Sequence, residues 1–85
     1  MQEKIRTSQY IVSEHADERM DDDGLAIYDV ECAILSAEIQ ERQRDRETKE
    51  WKYRLRGASA DGGPVEVIAK ISPRGKLAVV TVYRL

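Results

Sequence analysis

The sequence predicts an α+β domain in which two N-terminal helices pack on one face of a three- to four-stranded antiparallel sheet. Apolar residues recur at helical spacing in the first half of the chain and alternate every two residues in much of the second half. Two glycine-containing turns separate three strand-like runs within residues 50–85. Residues 1–85 are therefore expected to form a single domain, with residues 1–9 flexible.

The first helix is predicted from about Glu14 to Met20. Ser13 suits the N-cap position, and the acidic residues that follow it lie where the helix dipole favours negative charge. Residues 10–12 form a short β-type run, which either adds an edge strand or leads into this helix. Gly24 tolerates a positive φ and is expected to terminate the helical region.

The second helix is predicted from Ile27 to about Ala37, because apolar residues keep helical spacing along this segment. The following run, Ile39 to Arg46, contains only one large apolar residue. Such a composition suits a strand at the edge of a sheet better than a central strand.

Three further strands are predicted in the remainder of the chain. The run from Trp51 to Arg56 alternates apolar and basic residues, so that one face is buried and the other is cationic. Residues 64–71 form the next run, after a turn with hairpin chemistry. Residues 77–83 are almost continuously apolar or β-branched, which predicts a central strand covered on both faces.

The formal net charge of −2 conceals a difference between the two halves of the chain. Residues 1–41 carry 3 Lys and Arg against 11 Asp and Glu, a charge of −8, whereas residues 42–85 carry 11 against 5, a charge of +6. The basic half coincides with the predicted sheet. This polarity favours a polyanion or an acidic protein as the partner.

The sequence also lacks the patterns that mark membrane proteins, secreted proteins and metal sites. No apolar stretch approaches the roughly 18 residues that a membrane span requires, and the N-terminus lacks a signal-peptide pattern. The sequence therefore predicts a cytoplasmic protein without membrane association. One cysteine and one histidine supply neither a disulfide nor a recognisable metal-ligand pattern, so no metal or other cofactor is expected.

Alternating basic residues predict a cationic plate on one face of the sheet. Arg42, Arg44 and Arg46 would project from one side of a strand and, in matching register, lie beside the basic face of the next strand. Such a plate suits a phosphodiester backbone, although Lys and Arg on edge strands also prevent aggregation. The predicted RNA-binding residues are Arg42, Arg44, Arg46, Lys52, Arg56, Lys70 and Thr81.

A second set of residues has the chemistry for proton transfer. His15 shares a helix side with Arg19, and histidine is the residue type most often used for proton transfer, although a surface histidine is an equally open interpretation. Glu66 near arginines acts either as a general base or as a salt-bridge partner. Tyr83 either caps the core or contacts a substrate. The predicted catalytic residues are His15, Arg19, Arg54, Glu66 and Tyr83.

Three stretches, residues 13–20, 52–57 and 76–83, resemble a family of small bacterial proteins. This family is a domain of unknown function whose members open with a His-Ala-x-x-Arg-Met helix and close with a Thr-Val-Tyr strand. The resemblance covers nearly the whole chain from about Tyr10.

The family in turn resembles the fold shared by barnase, EndoU, colicin-type nucleases and the RelE toxins, in which RNA is cleaved on the open face of the sheet. The resemblance implies a RelE-like fold and a partner, a small zinc-finger antitoxin encoded beside the toxin. By position, His15, Arg19, Thr81 and Tyr83 match the family pattern. Glu66 departs from it, because many members carry a histidine there.

The function that the resemblance implies is that of a toxin endoribonuclease. In it, a ribose 2′-hydroxyl attacks the adjacent phosphate without a metal ion; Glu66 or His15 transfers the protons, and arginines bind the phosphate. The alternative is a non-catalytic module of the same fold that binds RNA or an acidic protein. A third hypothesis is a homodimer in which the exposed strand near Arg42 pairs across a two-fold axis.

Overall fold

Two helices and five strands make up the part of the chain that the computed structural model describes, residues 10–85. In chain order they are β1 (Tyr10–Val12), α1 (Glu14–Asp22), α2 (Ile27–Leu35), β2 (Glu38–Arg44), β3 (Trp51–Ala58), β4 (Pro64–Ile71) and β5 (Leu77–Arg84). The α+β class and the two N-terminal helices are as predicted. The expectation of flexibility for residues 1–9 concerns a segment outside the described residues.

The strands form one mixed sheet in the order β1-β5-β4-β3-β2. Consecutive strands from β2 to β5 pair antiparallel, whereas β1 pairs parallel with β5, Tyr10 opposite Leu77. The prediction of an antiparallel sheet of three to four strands is therefore confirmed for β2 to β5, whereas the fifth strand and its parallel pairing were not predicted. The reason is that residues 10–12 add a strand to the far edge of β5 before the chain enters α1.

Local hydrogen bonds explain where the helices begin and end. The Ser13 hydroxyl accepts a hydrogen bond from the Ala16 N–H at 3.0 Å and donates to the Val80 carbonyl at 2.7 Å, so that the N-cap also ties α1 to β5. Gly24 has a φ of 67° just after α1, as its predicted terminating role requires. In α2, the Ser36 hydroxyl donates to the Cys32 carbonyl in the last turn.

Both helices pack on the same face of the sheet. Helix α1 contacts β5, and α2 contacts β3 and β4. Gly57 shows how closely α2 approaches β3, since a Cβ atom there would lie 1.9 Å from the Ala33 carbonyl oxygen. The core residues are Ala16, Met20, Leu25, Val30, Ala33, Ile34, Leu55, Val65, Val67, Ala69, Leu77, Val79 and Val82.

The opposite face of the sheet is not covered by either helix. Strand β4 lies in the middle of the sheet order, and β5 lies beside it. The side chains of β5 that face away from the helices, Ala78, Thr81 and Tyr83, are half-buried. The expectation that the last strand is covered on both faces is wrong, because α1 and α2 share one side.

The short strand β1 is held from the helix side as well. Tyr10 donates a hydrogen bond from its hydroxyl to Oε2 of Glu31 on α2 at 2.7 Å. Burial and this carboxylate raise the pKa of Tyr10 to about 12. Within residues 10–85, no helix is long and apolar enough to cross a membrane.

Candidate active site on the open sheet face

The sheet face away from the helices carries most of the predicted site residues. Directly opposed residues in an antiparallel pair point to the same side, so the register assigns each side chain to a face. We call this side the open face. Its residues on the three inner strands are Lys52, Arg54 and Arg56 of β3, Glu66, Ile68 and Lys70 of β4, and Ala78, Thr81 and Tyr83 of β5.

Glu66 is the buried centre of the open face. It is only 4% exposed although neither α1 nor α2 covers it. Its Oε1 lies 3.1 Å from Nη1 of Arg54 and 3.7 Å from Nη2 of Arg56, and Tyr83 donates its hydroxyl hydrogen to Oε2. Buried carboxylates require such partners, because an unpaired charge away from water is costly. The predicted salt bridge is therefore present, and a role as general base remains a prediction.

Arg54 joins this carboxylate to a second one. Its Nε lies 3.4 Å from Oε2 of Glu41 on β2, while Nη1 contacts Glu66. The hydrogen bond and charge of Glu66, followed by those of Glu41, raise the pKa of Arg54. The guanidinium is thus held between two strands in its charged form.

Glu41 is the member of this cluster that sequence reasoning missed. It lies opposite Arg54 on β2, in a segment where the sequence drew attention only to arginines. No periodic signal marks it, because every residue of β2 is exposed. Among residues 10–85, no group of three or more His, Cys, Asp or Glu side chains is placed to hold a metal ion.

Arg42 and Arg44 lie on the helix side of the sheet, which corrects the predicted cationic plate. Arg42 is paired with Tyr53, and Arg44 with Trp51, both of which face the helices. These arginines are therefore on the opposite face from the basic residues of β3. Arg46 lies beyond the end of β2, in the turn that leads to β3.

A β-bulge is the physical reason for this difference. The pairing of β2 with β3 shifts between Ile39 and Glu41, so that Gln40 is an extra residue on the edge strand. An extra residue inverts the alternation of side chains beyond it. Ile39 and Arg42 consequently face the same side, although strict alternation would separate them.

On the helix side, the two arginines contact an aromatic ring. The Cζ atom of Arg42 lies 4.8 Å from the centroid of the Trp51 ring, and that of Arg44 lies 5.6 Å from it. These distances are typical of cation–π contacts. We call Arg42, Arg44 and Trp51 the tryptophan stack.

His15 and Arg19 are not part of the open face. Both belong to α1, which packs on the opposite side of the sheet, and His15 is exposed to solvent. Arg19 forms an ion pair with Asp23 at 3.8 Å. Of the five predicted catalytic residues, the structure brings together Arg54, Glu66 and Tyr83 and leaves the two α1 residues in the helix layer.

The remaining predicted RNA contacts on the open face surround this cluster. Arg56 contacts Glu66, and Thr81 lies opposite Ile68. Lys52 and Lys70 lie opposite each other farther along β3 and β4. Glu38 on β2 lies opposite Arg56 and so faces the same side. The open face therefore carries four cations next to three carboxylates, a mixed surface rather than the cationic plate that was predicted.

The chain matches a known protein family. A family model described as "Domain of unknown function (DUF4258)" matches residues 12–84, which include all the open-face residues named above. No curated protein matches the chain, and no solved structure matches it.

Proposed function

The chain belongs to the DUF4258 family of unknown function, and on that premise we propose that it is a RelE-like toxin endoribonuclease that cleaves RNA on its open face without a metal ion. The observation that carries the proposal is the buried Glu66 carboxylate, enclosed by two guanidinium groups and a phenol on a face that no helix covers. A base, cations and an acid are the groups that phosphodiester cleavage by a 2′-hydroxyl needs.

The row of cations on β3 supports a path for the RNA backbone. Lys52, Arg54 and Arg56 follow one another at two-residue intervals, about 7 Å apart along the strand. A guanidinium has five N–H donors, and the contacts described engage Nε and Nη1 of Arg54 and Nη2 of Arg56, which leaves donors for a phosphate. The less polar residues beside the row, Ile68 and Ala78, offer a surface for riboses and bases.

The contacts around Glu66 support a complete proton path in the proposed reaction. Glu66 accepts the proton of the 2′-hydroxyl, the 2′-oxygen bonds to phosphorus, and the bond from phosphorus to the 5′-oxygen breaks. Tyr83 gives its hydroxyl proton to the departing 5′-oxygen and recovers one from Glu66, to which it is hydrogen bonded. The products are a 2′,3′-cyclic phosphate and a 5′-hydroxyl. Arg54 and Arg56 stabilise the negative charge that develops on the phosphate oxygens.

This assignment replaces His15 as a proton-transfer residue. His15 is exposed on α1, in the layer behind the sheet, whereas Tyr83 directly contacts the carboxylate. Glu66 stands where many members of the resembling family carry a histidine, and its pairing with Tyr83 supplies both a proton acceptor and a donor at that position.

The test is cleavage of RNA in the presence of a metal chelator, with the products analysed by mass spectrometry for cyclic phosphate ends. Glu66→Gln preserves the shape of the side chain but removes the proton acceptor, so we expect the cleavage rate to fall about 10²- to 10⁴-fold. Glu41→Gln is the matched control, because it removes the other carboxylate that contacts Arg54. Binding of 2′-O-methyl RNA, which lacks the attacking hydroxyl, should persist in both variants.

Cleavage by Glu66→Gln at the wild-type rate, or cleavage that requires a divalent metal ion, would contradict the proposal. Binding without cleavage in the wild type favours the second candidate, a non-catalytic module that holds RNA or an acidic protein. One observation supports that candidate: the ion pairs and hydrogen bond of Glu66 form a satisfied network that also serves a purely structural role.

We also propose the partner that the resemblance implies, a small zinc-finger antitoxin encoded beside this chain. The neighbouring open reading frame tests this directly, since a short protein with Cys-x-x-Cys motifs is expected there. Failure to find one removes the support for an antitoxin while leaving the RNA chemistry open to its own test.

The homodimer through the strand near Arg42 is a separate proposal. Strand β2 lies at the sheet edge with all seven residues exposed, as such pairing would require. Its bulge and its charged side chains are features that discourage pairing between edges. Light scattering at two concentrations tests the proposal, and a constant monomer mass would contradict it.

A further inference from the structure

Lys52 and Lys70 lie directly opposite each other on the open face. Opposed residues of this kind have Cβ atoms about 5 Å apart, and like charges at that separation repel. Neither ammonium group lies within 4 Å of a carboxylate of the described residues, although Lys70 interacts electrostatically with Asp45 at longer range. The lysine pair is separated from the pair of Arg56 and Glu66 by one intervening open-face pair, about 13 Å along the strands.

A cleft of about 250 Å³ lies at this lysine pair. It is lined by Gln43, Arg44, Asp45, Glu50, Lys52 and Lys70. The Asp45 carboxylate is hydrogen bonded within its own turn. Its Oδ1 accepts hydrogen bonds from the N–H groups of Glu47 at 2.9 Å and Thr48 at 3.2 Å. These backbone hydrogen bonds, and after them the positive charge of Lys70, lower the pKa of Asp45, which is held in the turn in its ionised form.

A second cleft connects this position with the candidate active site. It is lined by Glu41, Gln43, Lys52, Arg54 and Ile68, and it shares Gln43 and Lys52 with the first cleft. Lys52 and Arg54 are two residues apart on β3, about 7 Å. A nucleic-acid strand that follows the two clefts would bring one phosphate to Arg54 and a neighbouring phosphate to the lysines.

We propose that Lys52 and Lys70 form a second phosphate subsite, which binds the phosphate of a nucleotide next to the one that is cleaved. The inference rests on the proposed function and adds to it a preference for RNA longer than a dinucleotide. A phosphate between the two ammonium groups replaces one repulsion with two attractions. A bound phosphate would therefore offset the repulsion between the two opposed ammonium groups.

The test uses Lys52→Gln and Lys70→Gln, each of which removes one charge and keeps a long polar side chain. Each should weaken binding of a 2′-O-methyl oligonucleotide of about ten nucleotides roughly tenfold, the equivalent of one charge-assisted hydrogen bond. The slope of log affinity against log salt should fall by about 0.7. Each substitution should slow cleavage of a dinucleoside monophosphate, which has a single phosphate, less than it slows cleavage of a longer RNA.

The stability of the lysine variants distinguishes a phosphate subsite from a purely structural role of the two lysines. Removing one of two opposed charges should leave the midpoint of urea denaturation unchanged or higher, while RNA binding weakens. Arg42→Gln is the control, because it makes the same change of charge on the opposite face. It should leave oligonucleotide binding near the wild-type value.

Each result bears on either the inference or the proposed function. Wild-type oligonucleotide affinity and salt slope in both lysine variants would overturn the subsite while RNA cleavage still stands. A lower denaturation midpoint in these variants would overturn it too, since the lysines would then be structural partners. If inorganic phosphate alone stabilises the wild type as strongly as the oligonucleotide does, the site takes free phosphate and the inference fails. A wild type that neither cleaves nor binds RNA contradicts the proposed function itself.

Discussion

Arginine side chains lie on both faces of the β2–β3 edge of the sheet, and their partners differ. On the open face, Arg54 and Arg56 contact the buried carboxylate of Glu66. On the helix side, Arg42 and Arg44 contact the ring of Trp51. The comparison shows that an arginine-rich sequence does not by itself make a binding surface, because the face and the partner decide what each guanidinium can do.

The reason for the difference lies in what covers each face. Helix α2 packs on β3 and β4, and no helix covers β2. Trp51, at the start of β3, is half-buried with the two arginines over its ring. In the tryptophan stack the guanidinium groups shield an aromatic residue from water, which is a structural role. Around Glu66 they are oriented by a buried carboxylate on the face that α1 and α2 leave uncovered.

The largest expected effect distinguishes the two faces by activity. Arg54→Gln removes a cation that would stabilise charge on the phosphate, so RNA cleavage should fall about 10²- to 10³-fold. Arg42→Gln, which removes the same charge from the tryptophan stack, should change the rate less than about twofold. Single-turnover cleavage assays on the two variants measure the contrast. Equal losses would mean that the faces do not differ in function.

A smaller effect is expected on stability. Tyr83→Phe removes the hydrogen bond to Oε2 of Glu66 and leaves a buried carboxylate oxygen without that partner. The free energy of unfolding should fall by about 1–3 kcal/mol. Tyr28→Phe is the matched control, since Tyr28 is 64% exposed on α2, and its effect should stay within about 0.5 kcal/mol. Urea denaturation measures both, and equal values would indicate that the Glu66 network adds no stability.

The smallest effect concerns the tryptophan stack. A double-mutant cycle of Arg42→Ala and Trp51→Leu should give a coupling free energy of about 0.5–1 kcal/mol, the range for an exposed cation–π contact. RNA affinity should be unaffected by Arg42→Ala, because the side chain faces away from the open face. A large loss of RNA affinity in this variant would instead support the cationic plate that strict alternation of side chains predicts.

Several features of the fold follow from local sequence patterns. The Ser13 cap, the Gly24 terminator and the apolar spacing of α2 locate the helices to within about two residues at their ends. The alternation in β3 places Trp51 and Arg54 on opposite faces, as the structure shows. These predictions succeed because they depend on hydrogen bonds and side-chain directions between residues that are close in the chain.

Part of the candidate site was also predictable. Arg54 and Glu66 belong to strands joined by a short turn, so that a hairpin register brings their faces together. Tyr83 was not predictable in this way, because the pairing of β4 with β5 shifts between Ile68 and Ala69, and this bulge places Tyr83 opposite Glu66. Glu41 was not predictable, because its place opposite Arg54 depends on the bulge at Gln40.

By itself, the sequence determined the α+β class, the helix caps, the antiparallel pairing of β2 to β5 and the placement of Glu66 near the arginines of β3. Only the tertiary structure decided that residues 10–12 pair in parallel with β5, that both helices share one side and that Arg42 faces that side. The physical reason is that local sequence patterns do not report contacts between distant segments and do not fix the facing of an exposed edge strand. The first two depend on contacts between segments far apart in the chain, and the third depends on an exposed edge strand whose polar side chains impose no preference for either face.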